Sequence, residues 1–264
     1  MKKILLTGTN GIVAQVLKKE LDQTYEISGI SIARMDDIIK ETSFSSWKQQ
    51  LDRYCDRIIT QLTAACQGQD AIVHLGWNTV DDNCEGGLDP LNIAVVDCVY
   101  RVAIAERIPR IYMASSVHAY DFMGDEYDRE EPIPPFPDTR RDPFGVSTTS
   151  LYGVSKRWME ICGQYYARQL AEEQKILVVR LGGVGREENP QHPSPVWESH
   201  HDCAGLLSAF IESEDAPKFW IAYGVSNNQG EQDPCPPFDT VNPYGFAPRD
   251  NAFAQKTPIK NGSL

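Results

Sequence analysis

The sequence predicts an α/β fold built on a doubly wound parallel sheet, and three observations predict it. Short apolar runs of strand length alternate with segments whose apolar residues recur at helical spacing. The first run stops at a glycine-rich turn, Thr7-Gly8-Thr9-Asn10-Gly11, that opens directly into a helical pattern. The inner runs, such as Ala71-Ile-Val-His-Leu75, lack the polar alternation of a half-solvated strand, as a strand buried on both faces should. Such alternation leads to a sheet covered on both sides, with ligands taken in the crevice at the carboxyl ends of its strands.

The elements follow in order. Lys2 to Thr7 reads as the first strand and Gly11 to Leu21 as a helix, with Ile12, Val13, Val16 and Leu17 on one side. Glu26 to Ile32 is the second strand. Between Asp36 and Leu62 the pattern is mixed: Ser43 to Ser46 reads as loop, Trp47 to Tyr54 fits helix or strand, and a short third strand is expected to end near Cys55-Asp56. Ala71 to Leu75 is a buried strand, Leu91 to Glu106 a helix, Arg110 to Ser115 the next strand, Leu151 to Ala171 a long helix, and Ile176 to Leu181 another strand. The proline-dense stretch from Glu130 to Phe144 and the stretch from Gly185 to Pro195 read as loops that either cover a site or stay on the surface. Ser199 followed by Asp202 has the form of a helix start, with Cys203 to Ile211 as the helix and Phe219 to Tyr223 as a last strand.

A chain of 264 residues closes one α/β core with a modest appendage. With 41% hydrophobic and 23% charged residues it belongs with ordinary globular enzymes and not with fibrous or disordered chains. A formal net charge of −12 repels a polyphosphate backbone and an anionic bilayer, so neither nucleic acid nor membrane is an expected partner. The seven cysteines are odd in number, scattered and without a C-x-x-C pair, which suits a reducing compartment. With no signal-like segment read at the start of the sequence, a cytoplasmic location is expected.

Two places carry chemistry. In the first, Gly8, Gly11 and Ala14 supply a tight turn, a backbone free of Cβ, and a small residue where helix meets strand, which is what a pyrophosphate on a helix N-terminus requires. This marks a Rossmann-type NAD or NADP site. At the end of the second strand the acid that would meet a ribose 2′-hydroxyl is absent; Ser31 and Arg34 stand there instead and lean the choice toward NADP. In the second place, the spacing of four in Tyr152-Gly-Val-Ser-Lys156 puts phenol and ammonium on one helical face. A nearby cation pulls a phenol from about 10 toward working pH, so that it can exchange a proton. Ser115 and Ser116 end a strand where substrate should lie.

Glycine turn, strand-end serine and Tyr-x-x-x-Lys occur in that order, and with them the sequence resembles the short-chain dehydrogenase/reductase superfamily, in its extended branch of NAD-dependent epimerases and dehydratases. The likeness runs from Lys2 to about Asp250 and includes His74-Leu-Gly76, Asn92, Ser115-Ser-x-x-x-Tyr120 and Arg180-Leu-Gly182. Within that branch it is most like the uronate dehydrogenases and related sugar dehydrogenases, through His74-Leu-Gly-Trp-Asn-Thr79, Ser115-Ser-Val-His118, Trp197-Glu-Ser-His-His-Asp202 and Tyr223-Gly-Val-Ser-Asn227.

The resemblance implies that Ser116, Tyr152 and Lys156 are catalytic. It implies that the cofactor meets Gly8, Asn10, Gly11, Ile12, Leu75, Gly76, Trp77, Asn92, Tyr152 and Lys156, with Asp56 at the adenine and Ser31 and Arg34 at the ribose. For the sugar it implies Thr79, Ser116, Val117, His118 and Tyr152, with His192 where the family has a carboxylate-binding arginine and Val117 where it has an asparagine. The implied reaction is oxidation of a uronate's anomeric hydroxyl to a lactone, without a metal. A nucleotide-sugar epimerase or dehydratase and a non-catalytic NAD(P) sensor are the alternatives. Residues 1–184 are expected to form the NAD(P)-binding domain and 185–264 a small C-terminal substrate-binding region packed on it, and a homo-oligomer is an open possibility. His74 is expected beneath the glycine turn. Trp77 either walls the cofactor, narrows the sugar site or covers core. His200-His201-Asp202 is not expected to chelate, since neighbouring helical side chains diverge by about 100°.

Overall fold

A computed structural model describes residues 1–32, 46–77, 90–119, 148, 150–190, 192–229 and 238–254. Its frame is a six-stranded parallel sheet of β1 (Lys3–Thr7), β2 (Glu26–Ile30), β3 (Ala71–His74), β4 (Arg110–Ser116), β5 (Lys175–Leu181) and β6 (Phe219–Gly224), in the order β2-β1-β3-β4-β5-β6. The chain turns from building outward on one side of β1 to building outward on the other between β2 and β3, so β1 and β3 flank the crevice. Register aligns Thr7 with Ile30 and His74, which brings the ends of three strands under one turn.

Alternate residues of each strand feed opposite layers. Leu5, Ile72, Ile111, Met113, Ile176 and Val178 pack against α2 (Trp47–Cys66), α3 (Pro90–Ala105) and α4 (Leu151–Tyr166). Ile4, Leu6, Val73, Tyr112, Ala114 and Val179 pack against α1 (Ile12–Leu21) and α5 (His200–Glu212). Both faces are therefore apolar, which is why the inner strands read as unbroken hydrophobic runs.

Two expectations are corrected. The segment holding Cys55 and Asp56 is helical throughout and supplies no third strand. Tyr54, Ile58, Leu62 and Cys66, four apart, form its buried stripe, and Ser46 caps it by accepting from Gln49 N; that period is helical and overrides the local mixture. Among the described residues the sheet thus lacks the strand that a doubly wound sheet carries outside β2. The helix begun at Leu151 stops at Tyr166, and a 3-10 turn, Ala167–Gln169, completes the stretch expected as one helix. The loop from Glu130 to Phe144 lies outside the described residues.

Beyond Leu181 the chain stays with the sheet. Ser199 caps α5 by accepting from Asp202 N, as the sequence suggested, and β6 pairs along β5. The buried Asp202 carboxylate accepts from Arg249 N, Asp250 N and Ser226 Oγ, so the 238–254 segment is fastened to the start of α5 by charge-assisted bonds. No helix among the described residues is long and apolar enough to cross a membrane.

Candidate active site

The glycine turn is held from three sides. Gly8 has φ +73°, and a Cβ there would lie 2.7 Å from the Gly76 backbone, so only glycine fits both the conformation and the approach. Gly8 N donates to Ile30 O and Gly11 N to Gly8 O, both at 3.0 Å. Gly11 precedes α1 without a side-chain cap, leaving the first amides of that helix facing outward.

Beneath the turn sits a polar knot. Thr7 Oγ1 accepts from Leu75 N at 3.3 Å and Gly76 N at 3.4 Å, which directs its own hydrogen to His74 Nδ1 at 2.8 Å. That pattern assigns the His74 proton to Nε2. Burial, reinforced by the charge of Lys156, pushes the imidazole down to about 3, so it is neutral. His74 thus braces the glycine turn, as expected, and fixes the backbone that leads into Trp77.

At the end of β2, Ser31 Oγ lies 3.4 Å from Thr9 Oγ1 and 3.5 Å from Asn10 Nδ2, and its carbonyl accepts from Gln61 of α2. Ser31 therefore lies against the glycine turn. Arg34 and Thr79 lie outside the described residues. Asp56 is exposed on α2, a helix position and not a strand end. Asn92 is buried in the first turn of α3.

The second half of the site forms where α4 meets β4. Ser150 caps α4 by accepting from Gly153 N. Gly153 rests against the His118 carbonyl so closely that a Cβ would collide with it. This contact sets the helix start against the short turn Val117–Ala119 that follows β4. Tyr152, half-buried, meets exposed His118 edge to face with ring centroids 6.2 Å apart. Ser116 Oγ accepts from His118 N at 3.2 Å. Lys156, buried, donates to Ala114 O at 2.7 Å and lies 5.6 Å from the Tyr152 ring centroid. Burial pushes its ammonium down to about 7.

The structure thus joins Ser116, His118, Tyr152 and Lys156 at one strand end, and Gly8, Asn10, Gly11, Ser31, Leu75 and Gly76 at the neighbouring one. Trp77 links the two. Val117 turns into an apolar cluster with Tyr223, Val225 and Phe238, and His192 is an exposed residue of the 185–195 loop. The residue pair that pattern reading missed is Glu160 with Arg180: two 2.8 Å bonds join them in the interior, and Ser115 Oγ adds a third to the carboxylate at 2.9 Å. The signal was present, because an arginine in the apolar run Lys175-Ile-Leu-Val-Val-Arg-Leu181 demands a buried partner. His201, Asp202 and Asp250 bring ligand atoms near one another, but the Asp202 oxygens are engaged by backbone amides and Ser226, and Ser199 donates to Asp250.

A parallel sheet with a glycine turn at its crevice and a Tyr/Lys helix beside a strand-end serine defines a nicotinamide-dependent enzyme of Rossmann type. Residues 4–199 match the family model described as NAD dependent epimerase/dehydratase family, and the chain belongs to that family. It is 29% identical to a uronate dehydrogenase of Agrobacterium fabrum over 98% of this chain and 89% of that protein. It is 26% identical to an L-arabinose 1-dehydrogenase (NAD(P)(+)) of Haloferax volcanii over 96% of this chain and 98% of that one. The solved glucuronic acid dehydrogenase from Chromohalobacter salexigens shares the fold, with a TM-score of 0.68 at 21% identity over 95% of this chain and 85% of that one.

Proposed function

We propose that this enzyme oxidises a hydroxyl of a free sugar or sugar acid, uronate-like in class, with Tyr152 as the acid/base. The observation that carries the reading is the buried Lys156 ammonium, held by Ala114 O within 5.6 Å of the Tyr152 ring centroid. The named activities of the two relatives, which match nearly the whole chain, support the substrate class.

The residues present fit a dinucleotide: the Gly8 turn has no Cβ to block a phosphate, and α1 begins without a side-chain cap. When bound, the nicotinamide accepts the hydride. The Lys156 charge holds Tyr152 as a phenolate, Ser116 orients the substrate hydroxyl, and the phenolate takes its proton and becomes a phenol. His118 and Thr79 contact the sugar in this reading, and His192 is the partner of a uronate carboxylate, its charge depending on pH. Ser31, with Arg34, favours NADP over NAD.

A nucleotide-sugar epimerase would need a lobe for the nucleotide. The described residues after Trp197 form α5, β6 and a segment fastened to Asp202. The test is a panel of free uronates, aldoses and nucleotide sugars with NAD or NADP, read as reduced-nicotinamide absorbance. Net reduction is expected with a free sugar or sugar acid; conversion of a nucleotide sugar without net reduction overturns the proposal. Tyr152→Phe should lower turnover by at least ~10²-fold with cofactor binding retained.

A further inference from the structure

The turn after β3 lays an aromatic ring over the lysine of α4. Lys156 Nζ lies 3.8 Å from the Trp77 ring, nearer than to the ring of Tyr152. Of the three N–H groups of the ammonium, one goes to Ala114 O. Among the described residues no carboxylate pairs with it. Glu160, one turn along α4, is taken by Arg180 and Ser115, with Arg157 at 3.5 Å. β4 meets the ammonium with the Ala114 carbonyl, β3 brings the neutral His74 within reach of its charge, and α4 itself brings Tyr152.

A buried cation without a counter-ion gives up its proton readily, and burial alone brings Lys156 to about 7. An indole face attracts a desolvated ammonium electrostatically. A carboxylate in its place would pair with the ammonium and cancel the field that Tyr152 needs. An indole adds attraction without adding charge.

We propose that Trp77 is a positioning residue whose ring keeps Lys156 in its ammonium form against the Ala114 carbonyl and so sets the pH range over which Tyr152 works. The anchor of that ring is fixed, because the preceding Leu75 and Gly76 amides are clamped to Thr7. Trp77 thereby connects the glycine turn to the proton-transfer helix. The inference rests on the roles assigned above to Tyr152 and Lys156, and its test separates the two.

The first measurement needs no turnover. The chain has five tryptophans, so the emission of wild type minus that of Trp77→Phe isolates this indole. Read from about pH 5 to about pH 10, it should change in one step as Lys156 loses its proton, and the same subtraction in a Lys156→Met background should be flat. No step, or the same step without Lys156, overturns the proposal whatever the substrate is. In the second, kcat is followed against pH for wild type, Trp77→Phe and Trp77→Leu. The alkaline limb should move down by about one pH unit in the leucine variant and less in the phenylalanine variant, with KM for the sugar nearly constant. A limb that stays in place while kcat falls overturns it too. A clean fluorescence step without turnover of any sugar would support the Trp77 contact and count against the dehydrogenase reading.

Discussion

Lys156 Nζ donates to the main-chain carbonyl of Ala114 at 2.7 Å, two residues before Ser116, so one bond both orients the ammonium and pins α4 to the end of β4. Removing it has two separable consequences. Lys156→Met should cut turnover by at least ~10²-fold. Its stability should change little, because an orphaned carbonyl, costing about 1–3 kcal/mol, is offset by the removal of a desolvated cation. Turnover and a thermal melt on the same preparation check both; a collapse in stability equal to the loss in activity would count against a catalytic role.

The Glu160–Arg180 pair is fully interior, with side-chain exposures of 3% and 0%. Glu160→Gln leaves a guanidinium buried without its countercharge and should cost about 3–5 kcal/mol. Replacing both partners together, Glu160→Leu with Arg180→Met, should recover much of that loss. Urea unfolding of both variants beside wild type checks this, and the single variants Glu160→Leu and Arg180→Met complete the cycle that gives the coupling.

His74 sets an acid limit on stability. Its folded-state imidazole is pushed down to about 3, against about 6.5 in an unfolded chain. The stability it contributes is whole above the unfolded value and drains away as pH falls from about 6.5 toward about 3, because the unfolded chain takes up the proton first. Urea midpoints should therefore fall over that interval, and His74→Gln should flatten the fall while loosening the Thr7 knot. Equal slopes in both proteins would remove His74 as the cause.

On the outer side of α4, Leu151, Val154, Ile161 and Tyr165 are 42%, 40%, 56% and 59% exposed, spaced three, seven and four residues apart along one stripe. If copies of the chain associate through this stripe, a twofold axis would set it against itself. Ile161→Glu should then lower the sedimenting mass at micromolar concentration; an unchanged mass would rule this face out as the contact.

Much of this arrangement was readable before any coordinates. The strand, glycine turn and helix at residues 3–21 follow from local rules, and so does the Ser199 cap of α5. The reading failed at Cys55 and Asp56, where a sparse local pattern suggested a strand and the stripe of Tyr54, Ile58, Leu62 and Cys66 shows a helix. Val117, given as a sugar contact by the resemblance, has its side chain enclosed with Tyr223 and Phe238, a packing that the local sequence did not reveal.

What the residues determine by themselves is whatever depends on near neighbours: the φ that only Gly8 tolerates, the helical spacing that sets Tyr152 one turn from Lys156, the apolar runs that demand a two-sided sheet. The tertiary structure alone decides which distant groups meet, and so whether a buried charge is matched. Glu160 reaches Arg180, while Lys156, among the described residues, meets Trp77 and a carbonyl and no acid. Those pairings depend on how the strands register and how helices seat against them, because a shift of one residue turns every side chain to the opposite face.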